Sequence, residues 1–201
     1  MKSTETINKP IIFIDFSRVV SSIGISRHLA TCLAQYLTIP KEKIRNMYKK
    51  HITLLAKWQF FILDFIKELV PFLKQEYSEK NLIECVDIMP PVSSELLNIL
   101  KILKNTYLVY LVSDIYFELG IVVQKNLSPY FDGFIFSFQE GYKKSEPQFW
   151  EQIKNKINFE NVEYFIDDKQ KNLDLASKYW ISGVLCTPDF SLQEILNKII
   201  A

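Results

Sequence analysis

The 201-residue sequence predicts an α/β fold: a Rossmann-like three-layer parallel sheet of about five strands with an inserted all-helical cap subdomain. Three observations carry this expectation. Short, continuous runs of β-branched and aromatic residues alternate with segments of helical period. The first such run, Ile11–Ile14, ends directly on an acid, Asp15. The alternation is then broken once, by a long stretch after the first strand that contains no strand-like run.

Taken in order, residues 11–16 (IIFIDF) are a short run of β-formers ending in an acid and read as a fully buried strand. Similar runs follow at 107–112 (YLVYLV), 134–138 (FIFSF) and 162–166 (VEYFI), with a weaker one at 183–186. Between them, residues 92–103 place Leu96, Leu97, Leu100 and Leu103 on one helical face, and 115–127, 148–157 and 172–179 have the same period. Strands joined by helices of this length form parallel βαβ units. Residues 21–85 read as helices over 27–37, 41–50 and from 56 to about 77, with Pro71 kinking the last and Pro40 suited to a first turn. Pro90-Pro91 marks the return of the chain. The expected division is therefore a core of 1–20 with 88–201 and a helical cap of 21–87 over the carboxyl ends of the strands, where open α/β sheets bind ligands.

Composition narrows the function. Lys+Arg 24 against Asp+Glu 23 leaves a net charge of +1, so no global field favours nucleic acid or anionic lipid. Cys32, Cys85 and Cys186 form no CxxC pair and are expected to be free thiols in a reducing compartment. Met1 to Pro10 is polar and not signal-like, and the greasy stretch 60–73 is interrupted by Asp64, Lys67 and Glu68. The expectation is a cytoplasmic protein, monomeric or homodimeric, with no nucleic-acid or membrane partner.

The chemistry-bearing residues stand at strand ends. Asp15 follows the first strand and Asp167-Asp168 the fourth, so a parallel sheet brings all three to one edge. Crowded buried carboxylates repel one another unless a cation neutralises them, and all-oxygen ligation suits Mg²⁺. The plainer alternative is that each acid only caps a loop. Ser113 ends the second strand, where its hydroxyl and the next N–H can hold a phosphoryl oxygen. Lys144, in Gly141-Tyr-Lys-Lys-Ser-Glu-Pro147, can neutralise nucleophile and phosphate.

The order of these segments, "LKNTYLVYLVSD", "YFDGFIFSFQEGYKKSEPQFW" and "VEYFIDDKQKNLDLA" after the strand ending in Asp15, resembles the haloacid dehalogenase superfamily. The resemblance covers roughly residues 10–16 and 90–186; the helical insert corresponds in placement and size, not in residues. It implies that Asp15 is a nucleophile forming an aspartyl-phosphate, and that Mg²⁺ is held by the Asp15 carboxylate, the Ser17 carbonyl and Asp168, with Asp167 close by or behind. Ser113 and Lys144 hold the phosphoryl group. Spacing to Pro147 favours Lys144 over Lys143, which then points outward. Phe16, Arg18, Asp114 and Asn172 are secondary candidates for phosphate or substrate contact. The substrate implied is a small phosphorylated metabolite, such as a sugar phosphate.

The first motif departs from the family. Its usual second Asp, the general acid, is Ser17 here, and a hydroxyl is too weak an acid to protonate a leaving alcohol. Asp15-Phe-Ser-Arg-Val19 is similar to a subgroup with Asp-x-Gly-x-Val that includes sugar-phosphate phosphatases. Two alternatives stand beside a Mg²⁺-dependent phosphatase. One is a catalytically degenerate relative that binds a phosphorylated ligand or a protein; the other is a 2-haloacid dehalogenase or phosphonate hydrolase. In the cap, Tyr48, Lys49, His51, Lys57 and Trp58 either face a substrate or, with Phe60, Phe61 and Phe65, pack the helices while the lysines face water. His28 and His51 are too separated for a triad or zinc site.

Overall fold

A computed structural model describes residues 9–200. The polar stretch before Lys9, with its expected lack of a signal, lies outside the described residues, as does the start of the expected core segment 1–20. Five strands form one all-parallel sheet in the order β3-β2-β1-β4-β5: β1 (Ile11–Ile14), β2 (Leu108–Ser113), β3 (Gly133–Phe136), β4 (Val162–Asp167) and β5 (Ser182–Leu185). The central β1 is buried along its whole length, as its unbroken apolar run requires. Ile14 pairs with Leu111 on β2 and with Ile166 on β4, so the chain leaves all three strands at the same edge. Strand order reverses across β1, which opens a crevice there.

Four helices lie between β1 and the rest of the core: α1 (Ile25–Ala34), α2 (Lys41–Ala56), α3 (Ile62–Leu69) and α4 (Glu79–Val86). After them come α5 (Ser94–Leu103), α6 (Phe117–Leu127), α7 (Ser137–Glu140), α8 (Pro147–Lys154), α9 (Gln170–Ala176) and α10 (Leu192–Ile200). The first four share one hydrophobic core with the sheet: Leu29, Ile44, Phe65 and Leu82 belong to the same cluster as Ile14, Leu111 and Ile166. A second cluster under the opposite face joins Phe13, Phe149, Trp150 and Phe165.

The structure departs from expectation at three places. The helix expected from residue 56 does not start there: Ala56 ends α2, Trp58 takes a left-handed φ of 56°, and Pro71 sits in a 3-10 turn, Val70–Phe72, after α3. A proline has no N–H for a continuing helix, so the turn tightens and ends there. The third strand stops at Phe136, and Ser137 and Phe138 begin α7. There the Ser137 hydroxyl accepts from the Ile115 N–H, and the Gln139 side chain accepts from the Phe136 N–H. Helices α4 and α10 were not expected. At the start of the first, the Ser78 N–H and hydroxyl both donate to Asn81 Oδ1, a pairing of residues readable in the sequence.

Candidate active site

The loop after β1 is built by its own backbone. The Asp15 N–H continues the ladder to Ile166, the Val20 N–H donates to the Asp15 carbonyl, and the Ser21 N–H donates to the Phe16 carbonyl. Among the described residues no N–H donates to the Ser17 carbonyl. Arg18 takes a left-handed φ of 68°, a conformation uncommon outside glycine, which turns the chain sharply beside Asp15.

Lys144 reaches the same point from the far side of the sheet edge. Gly141, at φ 72°, ends α7 in the left-handed conformation glycine adopts freely, and Pro147 opens α8. Between them the Lys144 N–H donates to Asp114 Oδ1 at 2.9 Å, and its carbonyl accepts from Trp150 Nε1 at 2.8 Å. With both main-chain groups pinned, the side chain runs inward and is 0% exposed. Its ammonium donates to Asp15 Oδ1, to Asp167 Oδ2 at 2.6 Å and to the Val112 carbonyl at 3.1 Å, so all three protons have acceptors.

Asp167 is saturated. Asn172, in the first turn of α9, donates through Nδ2 to both of its oxygens at 3.1 and 3.0 Å, and the Lys169 N–H donates to Oδ1 at 2.8 Å. Burial pushes such a carboxyl upward, but Lys144 and these donors outweigh it and hold Asp167 below the usual carboxylate range. Asp15 goes the other way: burial pushes it up to about 7, against the pull of Lys144. Burial also raises Asp168. The carboxylates of Asp15 and Asp167 hold Lys144 protonated against its own desolvation.

Asp15, Asp167 and Asp168 each bring a carboxylate oxygen within 4.8 Å of the others. Four buried polar atoms among them and their neighbours lack a partner: Asp15 Oδ2, Asp168 Oδ1, Ser113 Oγ and Asn172 Oδ1. An unpartnered buried oxygen is costly, and two on adjacent carboxylates beside a bare main-chain carbonyl are what a hard, oxygen-seeking dication satisfies. The donor set therefore fits Mg²⁺. The second oxygen of Asp168 is engaged by Arg18, whose Nη2 lies 2.5 Å from Oδ2.

Each candidate from the sequence can now be placed. Asp15, Asp167, Asp168, Ser113 and Lys144 meet at the strand ends. Ser17 turns its hydroxyl away to accept from the Ile25 N–H at 3.3 Å, at the start of α1. Asp114 pins the Lys144 backbone, and Arg18 lies on Asp168. The Phe16 side chain is buried in the core cluster with Ile14, so its ring does not line the site. Asn172 turns its Nδ2 to Asp167 and positions that carboxylate, while its Oδ1 has no partner.

Above these residues, under the helices, lies a cavity of about 880 Å³. Asp15, Ser17, Arg18, Asp114 and Asp168 line it from the core, while Tyr48 and Lys49 line it from α2. Lys143 lines it as well, against the expectation that it points outward. His51 instead stacks on Phe60 with ring centroids 4.5 Å apart and meets Glu68. Lys57 pairs with Glu146 at 2.5 Å, joining helical block to core. Phe65 packs inside as expected, but Trp58 and Phe61 are each half exposed, with Trp58 stacked on Phe117. Sequence reasoning missed Arg27 and Arg45, which also line the cavity; the i, i+4 spacing of Arg45 and Lys49 was the available signal. The Cys186 thiol at the rim is pushed up to about 11 by burial, so it is no nucleophile at neutral pH.

No protein-family model and no curated protein matches the sequence. Solved structures do. The chain superposes on the HAD family enzyme BT-2542 from Bacteroides thetaiotaomicron with a TM-score of 0.71 at 19% identity, over 89% of this chain and 94% of that one. A second structure of that enzyme, in complex with magnesium and inorganic phosphate, gives 0.70 at 18% identity over the same shares, 89% and 94%. The L-2-haloacid dehalogenase PA0810 gives 0.67 at 12%, over 95% and 99%. The fold is thus that of haloacid dehalogenase superfamily proteins, and among the described residues no helix is long and apolar enough to cross a membrane.

Proposed function

We propose that the chain is a haloacid dehalogenase-like hydrolase, and within that class a Mg²⁺-dependent phosphatase of a small phosphorylated metabolite. One observation carries the proposal. Two adjacent buried carboxylates each keep an oxygen unpartnered, on Asp15 and Asp168, beside a fully buried ammonium and the unpartnered hydroxyl of Ser113. A dehalogenase needs no cation there. Residues 21–87 are the cap in this reading, and 1–20 with 88–201 the core.

Asp15, the Ser17 carbonyl and Asp168 would hold Mg²⁺, which supplies neutralisation of the nucleophile and the phosphoryl oxygens when bound. An oxygen of the Asp15 carboxylate is the nucleophile. It forms an O–P bond as the bond from phosphorus to the leaving oxygen breaks, and the departing electron pair goes to that oxygen. Lys144 orients Asp15 through its bond to Oδ1 and balances its charge. The Ser113 hydroxyl donates to a phosphoryl oxygen. Asn172 and the Lys169 N–H hold Asp167, which in turn holds Lys144. Water then attacks phosphorus as the bond from phosphorus to Asp15 breaks; the electron pair returns to the carboxylate, and the water's protons leave with the released phosphate and solvent.

The leaving oxygen takes its proton from water, because Ser17 is not an acid and its hydroxyl is committed to α1. Turnover therefore falls steeply as the leaving group becomes more basic. Hydrolysis of para-nitrophenyl phosphate with and without Mg²⁺, on wild type and Asp15→Asn, tests the proposal. Mg²⁺-dependent release abolished by Asp15→Asn is expected. Release that persists in the variant, or no release from any ester of a weakly basic alcohol, overturns it.

A further inference from the structure

The reaction accounts for the charge at the floor of the cavity but not for the charge on its roof. All three carboxylates lining the cavity, Asp15, Asp114 and Asp168, stand at the sheet edge. The helical wall contributes Arg27 from α1 and Arg45 and Lys49 from α2, with no acid beside them in the lining. These cations are poorly paired. Among the described residues neither Arg27 nor Lys49 forms an ion pair, and Arg45 reaches only Glu42, at 3.4 Å. Arg45 Nε is buried without a partner. Arg45 and Lys49 are four residues apart, so α2 stacks them one turn above the other on one face.

A concave wall of one sign focuses potential into the cleft and favours a ligand of the opposite sign. In the phosphatase reading the transferring phosphoryl group is already served by the Ser113 hydroxyl and the cation at Asp15 and Asp168, with Lys143 and Lys169 lining the cavity from the core. At about 880 Å³ the cavity is near the upper end of small-molecule sites, with room well beyond one phosphoryl group. We propose that the substrate carries a second anionic group, a carboxylate or a second phosphate, at the end remote from the scissile phosphate, and that Arg27, Arg45 and Lys49 bind it. This rests on the phosphatase reading for the phosphate at the floor.

Two matched pairs test it: glycerol 3-phosphate against 3-phosphoglycerate, and fructose 6-phosphate against fructose 1,6-bisphosphate. Wild type with Mg²⁺ is expected to favour the member with the extra anionic group, in at least one pair, by about tenfold or more in kcat/KM. That preference is expected to shrink to within about twofold in Arg45→Gln/Lys49→Gln, and to fall in Arg27→Gln, as charge-assisted bonds are lost. A preference in neither pair, or one that survives both sets of substitutions, overturns the second-anion site. If no ester is hydrolysed, the phosphatase reading fails on its own, and melting temperatures decide the site separately. A larger rise with 3-phosphoglycerate or the bisphosphate than with its partner at equal concentration, lost in the double variant, supports it; equal rises overturn it.

Discussion

Replacing Lys144 by Met, an unbranched side chain one atom shorter and without charge, isolates what holds the candidate active site together. In the native protein the ammonium satisfies one oxygen each on Asp15 and Asp167 and the Val112 carbonyl, all buried. In the variant two buried carboxylates lose their only buried cation. Removing one partner of a buried ion pair costs about 3–5 kcal/mol. For a chain of this size each kcal/mol moves Tm by about 2–4 °C, so Lys144→Met is expected to melt roughly 6–20 °C lower. The loss also has a pH signature. The folded-state value of Asp15, already about 7 against an ordinary 3.8, rises further without Lys144. A carboxyl raised on folding contributes stability that is present below its unfolded value and is lost as pH rises through its folded value. The deficit is therefore largest above about pH 7 and shrinks toward pH 4. Thermal melts of both proteins from pH 4 to 8.5, with chelator present, measure it. A deficit under about 2 °C, or one that does not vary with pH, refutes the reasoning, because the charges would then not be coupled through Lys144.

Ser17→Asp supplies the missing general acid, and since Asp also accepts well from the Ile25 N–H the start of α1 is kept. Steady-state kinetics on an alkyl phosphate should show kcat raised by up to about 10²-fold, while the gain on para-nitrophenyl phosphate stays small; equal gains on both would contradict a leaving-group role. Arg18→Gln frees Asp168 Oδ2, so a Mg²⁺ titration followed by Tm should reach its midpoint at several-fold lower Mg²⁺ than wild type, and an unchanged midpoint would show that Arg18 does not compete for that carboxylate. Gly133→Ala sets a Cβ 2.2 Å from the Tyr110 ring on the neighbouring strand, so β2 and β3 must spread; a loss of about 1–3 kcal/mol in urea denaturation is expected, and a neutral variant would mean the ring swings away.

Much of the core was legible because its signals are local. Ile11–Ile14 reads as a central strand since an apolar run of this length has nowhere else to go, and Asp15, Ser113 and Asp167 share an edge once the strands are parallel. The choice of Lys144 over Lys143 followed from the family resemblance together with spacing to Pro147, and the structure gives Lys144 the buried position. The helical block was legible as helical but not in its breaks. Trp58 is left-handed for reasons of packing against Phe117 and Phe138, which lie far along the chain. Asn172 was visible as a residue, but its hydrogen bonds to Asp167 depend on how α9 docks on β4.

By itself, then, the sequence determined the strand order of chemistry: which acids end strands, which lysine precedes a helix, and that Ser17 stands where an acid is usual. Period and residue type suffice for the first two, because each concerns neighbours a few residues apart; the place of Ser17 follows from the resemblance to the haloacid dehalogenase superfamily. Only the tertiary structure decided which of those groups are spent and which are free. Asp167 is saturated, the Ser17 hydroxyl is tied to α1, and Asp15 Oδ2 and Asp168 Oδ1 remain unpartnered. The cationic wall of Arg27, Arg45 and Lys49 likewise exists only once α1 and α2 face the sheet edge. Burial and pairing are properties of three-dimensional neighbours, and those are set by how helices and strands pack across more than a hundred residues of chain.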